Sequence, residues 1–65
     1  METPKMNLQK AIEVIVDTAK DYVKSSYQAK AHAYHRLRNS VENLEGVTRE
    51  QINDASFRIQ RKMKF

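Results

Sequence analysis

His32 and His35 are the side chains of this sequence whose type and spacing are best suited to binding a metal ion. On a helix, residues three apart place their imidazoles at neighbouring positions of one side. A metal site needs a third or fourth ligand, and Gln28, Ala31 and Asn39 offer no carboxylate beside them. We expect two partly exposed histidines and no metal, although a symmetric dimer would bring four histidines together.

Acid–base chemistry is the second option, because Asp17 with Asp21, and Glu42 with Glu45, each place two carboxylates on one helical side. Surface helices commonly carry such pairs in contact with water. The sequence also contains no glycine-rich phosphate loop and no nucleophile motif. We therefore expect no catalytic residue, no cofactor and no enzyme activity.

A larger set of residues combines positive charge with aromatic rings on one side of the first predicted helix. It comprises Lys20, Lys24, Tyr27, Ala31, Tyr34, His35 and Arg38. Lysine and arginine neutralise phosphates and tyrosine rings stack on bases, so the set suits a nucleic-acid backbone or single strand. It suits an acidic protein surface equally well, since tyrosine and arginine are favoured interface anchors. The plainer interpretation is that both tyrosines flank the core and the charges form a solvated rim.

Phe57 points nearly opposite Ile52 and Ile59 on the last predicted helix, towards Arg61 and Lys64. An exposed phenylalanine among positive charges is typical of an interface, although single exposed apolar residues also occur without a function. The partner-binding residues predicted on this helix are Phe57, Arg58, Arg61 and Lys62. Their cations also lie favourably near the negative end of the helix dipole, which is a purely structural use.

The net charge of the chain is +4, from 12 Lys and Arg against 8 Asp and Glu, and it is unevenly distributed. Residues 26–38 carry three basic side chains and residues 55–65 carry four, with no acidic residue in either range. A basic excess favours an anionic partner. A charge of this size is also ordinary for keeping a small protein in solution.

The hydropathy pattern argues against a membrane location. No apolar run exceeds the three residues 14–16, so the sequence predicts neither a membrane span nor a signal peptide. Binding to a membrane surface is also disfavoured, because tryptophan is absent and Ser26 and Lys30 interrupt the apolar stripe. The chain has no cysteine, and hence no disulfide or thiolate site, which agrees with a cytoplasmic location.

The clearest signals for helix ends surround Gly46, the only glycine of the chain. Glycine readily adopts the left-handed conformation that ends a helix. Thr48 is placed to cap a new helix and to form a capping box with Gln51. We therefore predict a short helix over about residues 49–64, with a core face formed by Ile52, Ala55, Ser56, Ile59 and Met63.

No glycine or proline occurs between Lys5 and Glu45, which favours one long helix over about residues 7–45. At the helical period one stripe contains Leu8, Ile12, Ile15, Ala19, Val23, Ala33, Leu37, Val41 and Leu44. Ser26 and Lys30 lie in the middle of that stripe. We favour a continuous or merely kinked helix, because a reversal usually requires glycine or proline. The alternative is a break at residues 25–26, which gives a three-helix bundle.

The predicted fold is all-α, a single domain of residues 1–65 in which residues 1–6 are flexible. A core made by so few residues is marginal without a partner. In the hairpin, the short helix covers only the half of the long helix nearest the turn, so we predict a homodimer that forms a twofold four-helix bundle. Its self-association residues are Leu8, Ile12, Ile15, Ala19 and Val23. The three-helix alternative covers the same residues within one chain.

These patterns predict a small, basic, non-enzymatic protein-interaction factor, a regulator or inhibitor that docks on a larger protein. The expected contact residues are Tyr27, Tyr34, Arg38, Phe57 and Arg61. Compact basic helical proteins of this length are typical of accessory factors of bacteriophages and mobile elements. The alternative is a nucleic-acid-binding protein that uses the same basic and aromatic helix faces, and a third option is a purely structural assembly subunit.

Overall fold

The computed structural model describes residues 7–64, so the flexibility predicted for residues 1–6 lies outside the described part. Helix α1, Leu8–Thr18, continues directly into a 3₁₀ turn, Ala19–Tyr22. Helix α2 is Tyr27–Glu42 and helix α3 is Arg49–Met63. Within residues 7–64 there is no strand, and the three helices pack together into one compact all-α domain. The predicted all-α class is therefore confirmed.

The continuous helix predicted over about residues 7–45 is wrong, and the break near residues 25–26 is what the structure contains. Ser26 is extended (φ −66°, ψ 166°), and its Oγ accepts a hydrogen bond from the Ala29 backbone N–H at 3.2 Å. The hydroxyl thus caps the N-terminus of α2. The serine cap starts a new helix without glycine or proline, after the 3₁₀ turn has ended at Tyr22. The expectation of a continuous helix did not include such a start.

The second turn follows the prediction in part: α2 ends at Glu42, three residues before the predicted end, but Gly46 and the cap of α3 are as expected. Gly46 has a positive φ of 84°, in the left-handed region that favours glycine. The Thr48 Oγ1 accepts from the Gln51 backbone N–H at 3.1 Å, and the Gln51 Oε1 accepts from the Thr48 N–H at 2.9 Å. This reciprocal capping box fixes the start of α3 at Arg49.

Contacts between side chains give the relative directions of the helices. Glu13 and Arg58 join α1 to α3, and further along both helices Asp17 meets Lys62, so α1 and α3 are parallel. The Lys30 Nζ, at the start of α2, donates to the Lys64 carbonyl at 3.4 Å, just beyond the end of α3. Helix α2 is therefore antiparallel to α3, and Lys30 places its positive charge at the negative end of the α3 dipole.

All three helices contribute to one core. Its buried members are Ile12, Val16, Ala19, Ala33, Val41, Ala55, Ile59 and Met63. Ala19, Ala33 and Ala55, one from each helix or its extension, are almost completely buried, at 0%, 5% and 0% exposure. Small side chains at these positions let the three backbones approach closely.

The structure removes the reason for which a four-helix dimer was predicted. Ile12 and Ala19 belong to the core, and Leu8 and Ile15 pack against it, while Val23 is half-buried in the turn. The expectation that Leu8, Ile12 and Ile15 lack cover within one chain is therefore wrong. Folding α1 back onto α3 supplies the cover that the hairpin lacks.

Candidate functional site

The most prominent exposed apolar side chain with a charged neighbour is Phe57 on α3. It is 60% exposed, and the Arg61 guanidinium carbon lies 5.9 Å from the centroid of its ring. The two residues are four apart, which places them on the same side of the helix. The buried Ile59 lies about 200° further around α3, so Phe57 faces away from the core.

Arg58 and Lys62 lie beside this pair, and together with Arg61 they line an open depression on α3. We call Phe57, Arg58, Arg61 and Lys62 the α3 patch. The Arg58 guanidinium donates two hydrogen bonds to the Glu13 carboxylate, at 2.9 and 2.8 Å, and the Lys62 Nζ lies 3.6 Å from Asp17. Two of the four residues predicted to bind a partner on α3 are therefore partly engaged by α1.

The hydrogen bonds and ion pairs of α1 and α3 shift the pKa values of Glu13, Asp17 and Arg58. The hydrogen bonds from Arg58 lower the pKa of Glu13, and the same bonds raise the pKa of Arg58. Hydrogen bonding and charge from Lys20, with a smaller effect from Lys62, lower the pKa of Asp17. The Lys20 Nζ lies 3.1 Å from Asp17, so Lys20 belongs to the same network.

The break at Ser26 divides the basic and aromatic set that was predicted on one continuous helix face. Lys20 lies in the 3₁₀ turn and Lys24 in the turn that follows it. Tyr27, Tyr34, His35 and Arg38 lie on α2. The two lysines therefore do not share a helical face with the tyrosines.

The α2 members of that set have different environments. The Arg38 Nε donates to the Ser56 Oγ at 3.0 Å and thereby fastens α2 to α3, while its Nη1 lies 3.4 Å from Glu42. Tyr34 packs against the core, with its ring edge-on to His35 at 5.4 Å between centroids. Tyr27 is 75% exposed on the first turn of α2. Tyr34 and Arg38 therefore support the fold, whereas Tyr27 and His35 lie at the surface.

The structure adds two residues, His32 and Arg36, that were not in the predicted partner-binding set. His32, His35, Arg36 and Arg38, with Asn39 and Glu42, line an open depression of about 460 Å³ on the outward side of α2. We call the first four of these residues the α2 surface. Within residues 7–64, no carboxylate lies within ion-pair distance of Arg36. The sequence feature that could have indicated this surface is the complete absence of Asp and Glu from residues 22–41.

Residues 7–64 contain neither a cluster of metal ligands nor a membrane-spanning helix. Among residues 7–64, no group of three or more His, Cys, Asp or Glu side chains is arranged to hold a metal ion. His32 and His35 thus remain a pair. None of the helices described is long and apolar enough to cross a membrane.

In comparisons with protein-family models, curated proteins and solved structures, nothing matches this chain.

Proposed function

We propose that this protein is a small non-enzymatic interaction factor that docks on a larger protein through the α3 patch. The observation that carries the proposal is the exposed Phe57 ring with the Arg61 guanidinium 5.9 Å from its centroid. Full burial of such a ring stabilises by about 2 kcal/mol, which a partner with an apolar pocket would gain. Aromatic and arginine side chains are also the types that dominate binding energy at interfaces.

The charges define the chemistry of the partner. Within residues 7–64, Arg61 lies within ion-pair distance of no carboxylate, so its charge is available to an acidic group on the partner. Arg58 and Lys62 already contact Glu13 and Asp17 and contribute mainly to the local positive potential. The proposed partner surface is an apolar pocket bordered by Asp or Glu. A factor of this kind acts as a regulator or inhibitor by covering that pocket.

We propose fewer contact residues than the sequence predicted. Tyr34 and Arg38 are occupied in the packing of α2 against the core and against α3, so we no longer place them among the anchors. Phe57 and Arg61 remain, and Tyr27 stays a peripheral candidate because its ring is exposed. An accessory role in a bacteriophage or mobile element fits this mode of action, since such factors commonly work by binding host proteins.

The second candidate function is nucleic-acid binding through the α2 surface. Residues 22–41 contain no acidic side chain, which favours this candidate. In addition, His32, His35 and Arg36 lie together on the outward face of α2. Arginine contacts to phosphates give sequence-independent affinity that weakens steeply with salt. Binding of random DNA or RNA fragments at low and high salt tests this candidate directly.

Affinity capture with matched variants tests the main proposal. The tagged wild-type protein is incubated with nuclease-treated host lysate, and the captured protein is then purified and titrated by calorimetry. We expect Phe57→Ala and Arg61→Glu each to weaken its binding at least tenfold. Val14→Ala is the matched control, because Val14 is similarly exposed, at 58%, but lies on α1.

Two outcomes would contradict the docking proposal. The first is a captured protein that binds Phe57→Ala and Val14→Ala equally well. The second emerges from a parallel capture with untreated lysate: binding that occurs only there, that Arg36→Glu abolishes and that Phe57→Ala leaves unchanged would instead support the nucleic-acid candidate.

A further inference from the structure

The turn between α1 and α2 differs from the turn between α2 and α3 in one important respect. Residues 43–48 contain Gly46 in the left-handed conformation, whereas residues 19–26 contain neither glycine nor proline. Every residue of the first turn is therefore sterically able to join a continuous α-helix.

Most of the first turn already has helical geometry. Ala19 (φ −61°, ψ −26°) and Val23 (φ −55°, ψ −38°) are right-handed helical. The Val23 and Ser25 backbone N–H groups donate to the carbonyls three residues before them, at 3.3 and 3.0 Å. By contrast, Ser26 is extended (ψ 166°) and interrupts the helical geometry immediately before α2. Rotation about a few backbone bonds near Ser26 would join α1 and α2 into one helix.

Such straightening exchanges one set of hydrogen bonds for another. It removes the Ser26 cap on Ala29, and it provides helical acceptors for the N–H groups of the first turn of α2. The Lys30 N–H already donates to the Ser26 carbonyl at 2.9 Å, as it would in the continuous helix. In backbone hydrogen bonds the two conformations thus differ little, although straightening would also change the packing of the buried Ala19 and of Tyr22.

Straightening would also separate α1 from its own α3, and a second copy of the chain would have to replace that contact. The α1 helix of each copy would pack on the α2 and α3 helices of the other. Its Ile12 and Val16 side chains would fill the same core. The Glu13–Arg58 and Asp17–Lys62 contacts would form between chains instead of within one. Every interaction outside the hinge is retained, which is what makes such exchange a low-cost route to a dimer.

We propose that this protein forms a twofold dimer by exchanging α1 between two copies, with α1 and α2 joined into one helix through residues 19–26. That helix, residues 8–42, is about 52 Å long. The partner is a second copy of this chain, and the surface that receives it is the α1-binding side of α2 and α3. The proposal is independent of the docking function proposed for α3.

A mixing experiment with two charge variants tests the exchange. Glu13→Arg and Arg58→Glu each place like charges against one another, both in the monomer and in their own exchanged homodimer. In an exchanged heterodimer of the two variants, the two substituted side chains meet at one end, and the two native side chains, Glu13 and Arg58, meet at the other. Both pairs are complementary in charge. We expect native mass spectrometry of the co-refolded mixture to show heterodimers in excess over random pairing.

The chain that carries both substitutions is the control for folding, because it restores a complementary pair within one molecule. It should return to the wild-type proportion of dimer. Random pairing in the mixture, with this double variant folded normally, would overturn the proposal, because a dimer without exchange gives no preference for heterodimers.

Two hinge variants give an independent readout by light scattering coupled to size exclusion. Ser26→Ala removes the caps of both copies, so we expect about 30-fold stronger dimerisation. Tyr27→Pro should abolish the dimer and keep the monomer. Proline suits the first residue of α2 and the extended Ser26 before it, but it interrupts a continuous helix. A dimer undiminished by Tyr27→Pro, or a Ser26→Ala chain that stays monomeric after refolding at high concentration, would contradict the exchange.

Discussion

The Arg58 guanidinium holds the Glu13 carboxylate through two hydrogen bonds, at 2.9 and 2.8 Å, across 45 residues of sequence. This bidentate pair joins α3 to α1 and fixes how far along α3 the first helix lies. Both side chains are partly exposed, so the pair contributes more to alignment than to overall stability.

Breaking this pair should lower the thermal unfolding midpoint modestly. We expect Glu13→Gln and Arg58→Ala each to lower it at low ionic strength, with a smaller difference from wild type at about 1 M salt, because exposed charges are then screened. Thermal unfolding followed by circular dichroism measures this. A loss that is equally large at both salt concentrations would indicate that packing, and not charge, is responsible.

Acid should destabilise the fold through Glu13 and Asp17. Their pKa values lie below the ordinary values of 4.5 and 3.8, because hydrogen bonds from Arg58 and from Lys20 favour the charged carboxylates. The unfolded chain therefore binds protons more readily than the folded one. The stabilisation of the fold by the two charged carboxylates is fully present well above pH 4.5. It is lost as the pH falls through the ordinary values and then through the lowered ones.

Thermal unfolding between neutral pH and about pH 2 measures this loss. The Arg58→Ala variant is the control and should lose less stability on acidification, since the pKa of its Glu13 lies nearer the unfolded value. If the stability of Arg58→Ala and that of the wild type fell in parallel on acidification, the contact between Glu13 and Arg58 would not be the cause of the loss.

The core should tolerate little loss of volume. Ile59 has 0% exposure, and Ile59→Ala should cost about 2–5 kcal/mol, a large share of the stability of so small a domain. We expect the alanine variant to be largely unfolded, and Ile59→Val to be destabilised by only about 1 kcal/mol. Urea unfolding followed by circular dichroism distinguishes these results. A folded alanine variant of wild-type stability would contradict the packing described.

Gly46 should be sensitive to substitution because of its backbone and not because of crowding. Its φ is 84°, and a Cβ at this position would meet no atom within 4 Å. Gly46→Ala should therefore destabilise by about 1 kcal/mol, through the left-handed conformation alone. Gly46→Asn should cost less, since asparagine tolerates that region better. Equal losses for both variants in urea titrations would argue against this cause.

Phe57 should matter for docking and not for folding. Because its ring is 60% exposed, Phe57→Ser should change the free energy of unfolding by no more than about 0.5 kcal/mol. A urea titration of the purified variant measures this, and Ile59→Val provides a reference for a core change. A large loss of stability would show that the ring packs against the fold and is not held ready for a partner.

The second turn was predictable from sequence because its signals are local. Gly46, Thr48 and Gln51 act on their own backbone neighbours, and no distant residue is needed to interpret them. The break at Ser26 was harder, since serine is compatible with both a helix and a cap. What decides between them is the packing of α1 on α3, which brings together residues about 45 positions apart.

The same distinction holds for the candidate site. Helical spacing alone predicted that Phe57 faces away from Ile59 and towards Arg61, as the structure shows. The engagement of Arg58 and Lys62 by Glu13 and Asp17 could not be predicted, because it depends on the direction in which the chain folds back. Arg36 was not predicted because it lies about 200° around α2 from both Tyr34 and Arg38, outside the predicted basic and aromatic face.

Three of the buried alanines, Ala19, Ala33 and Ala55, have a thermodynamic consequence for a chain with no disulfide. An alanine has no rotatable side chain to immobilise, whereas ordering a larger aliphatic group forfeits about 0.5–1 kcal/mol of rotamer freedom. Close contact between helices is thus obtained here with almost no entropic penalty from these positions. This small loss of side-chain entropy helps so short a polypeptide to maintain a defined shape without covalent crosslinks.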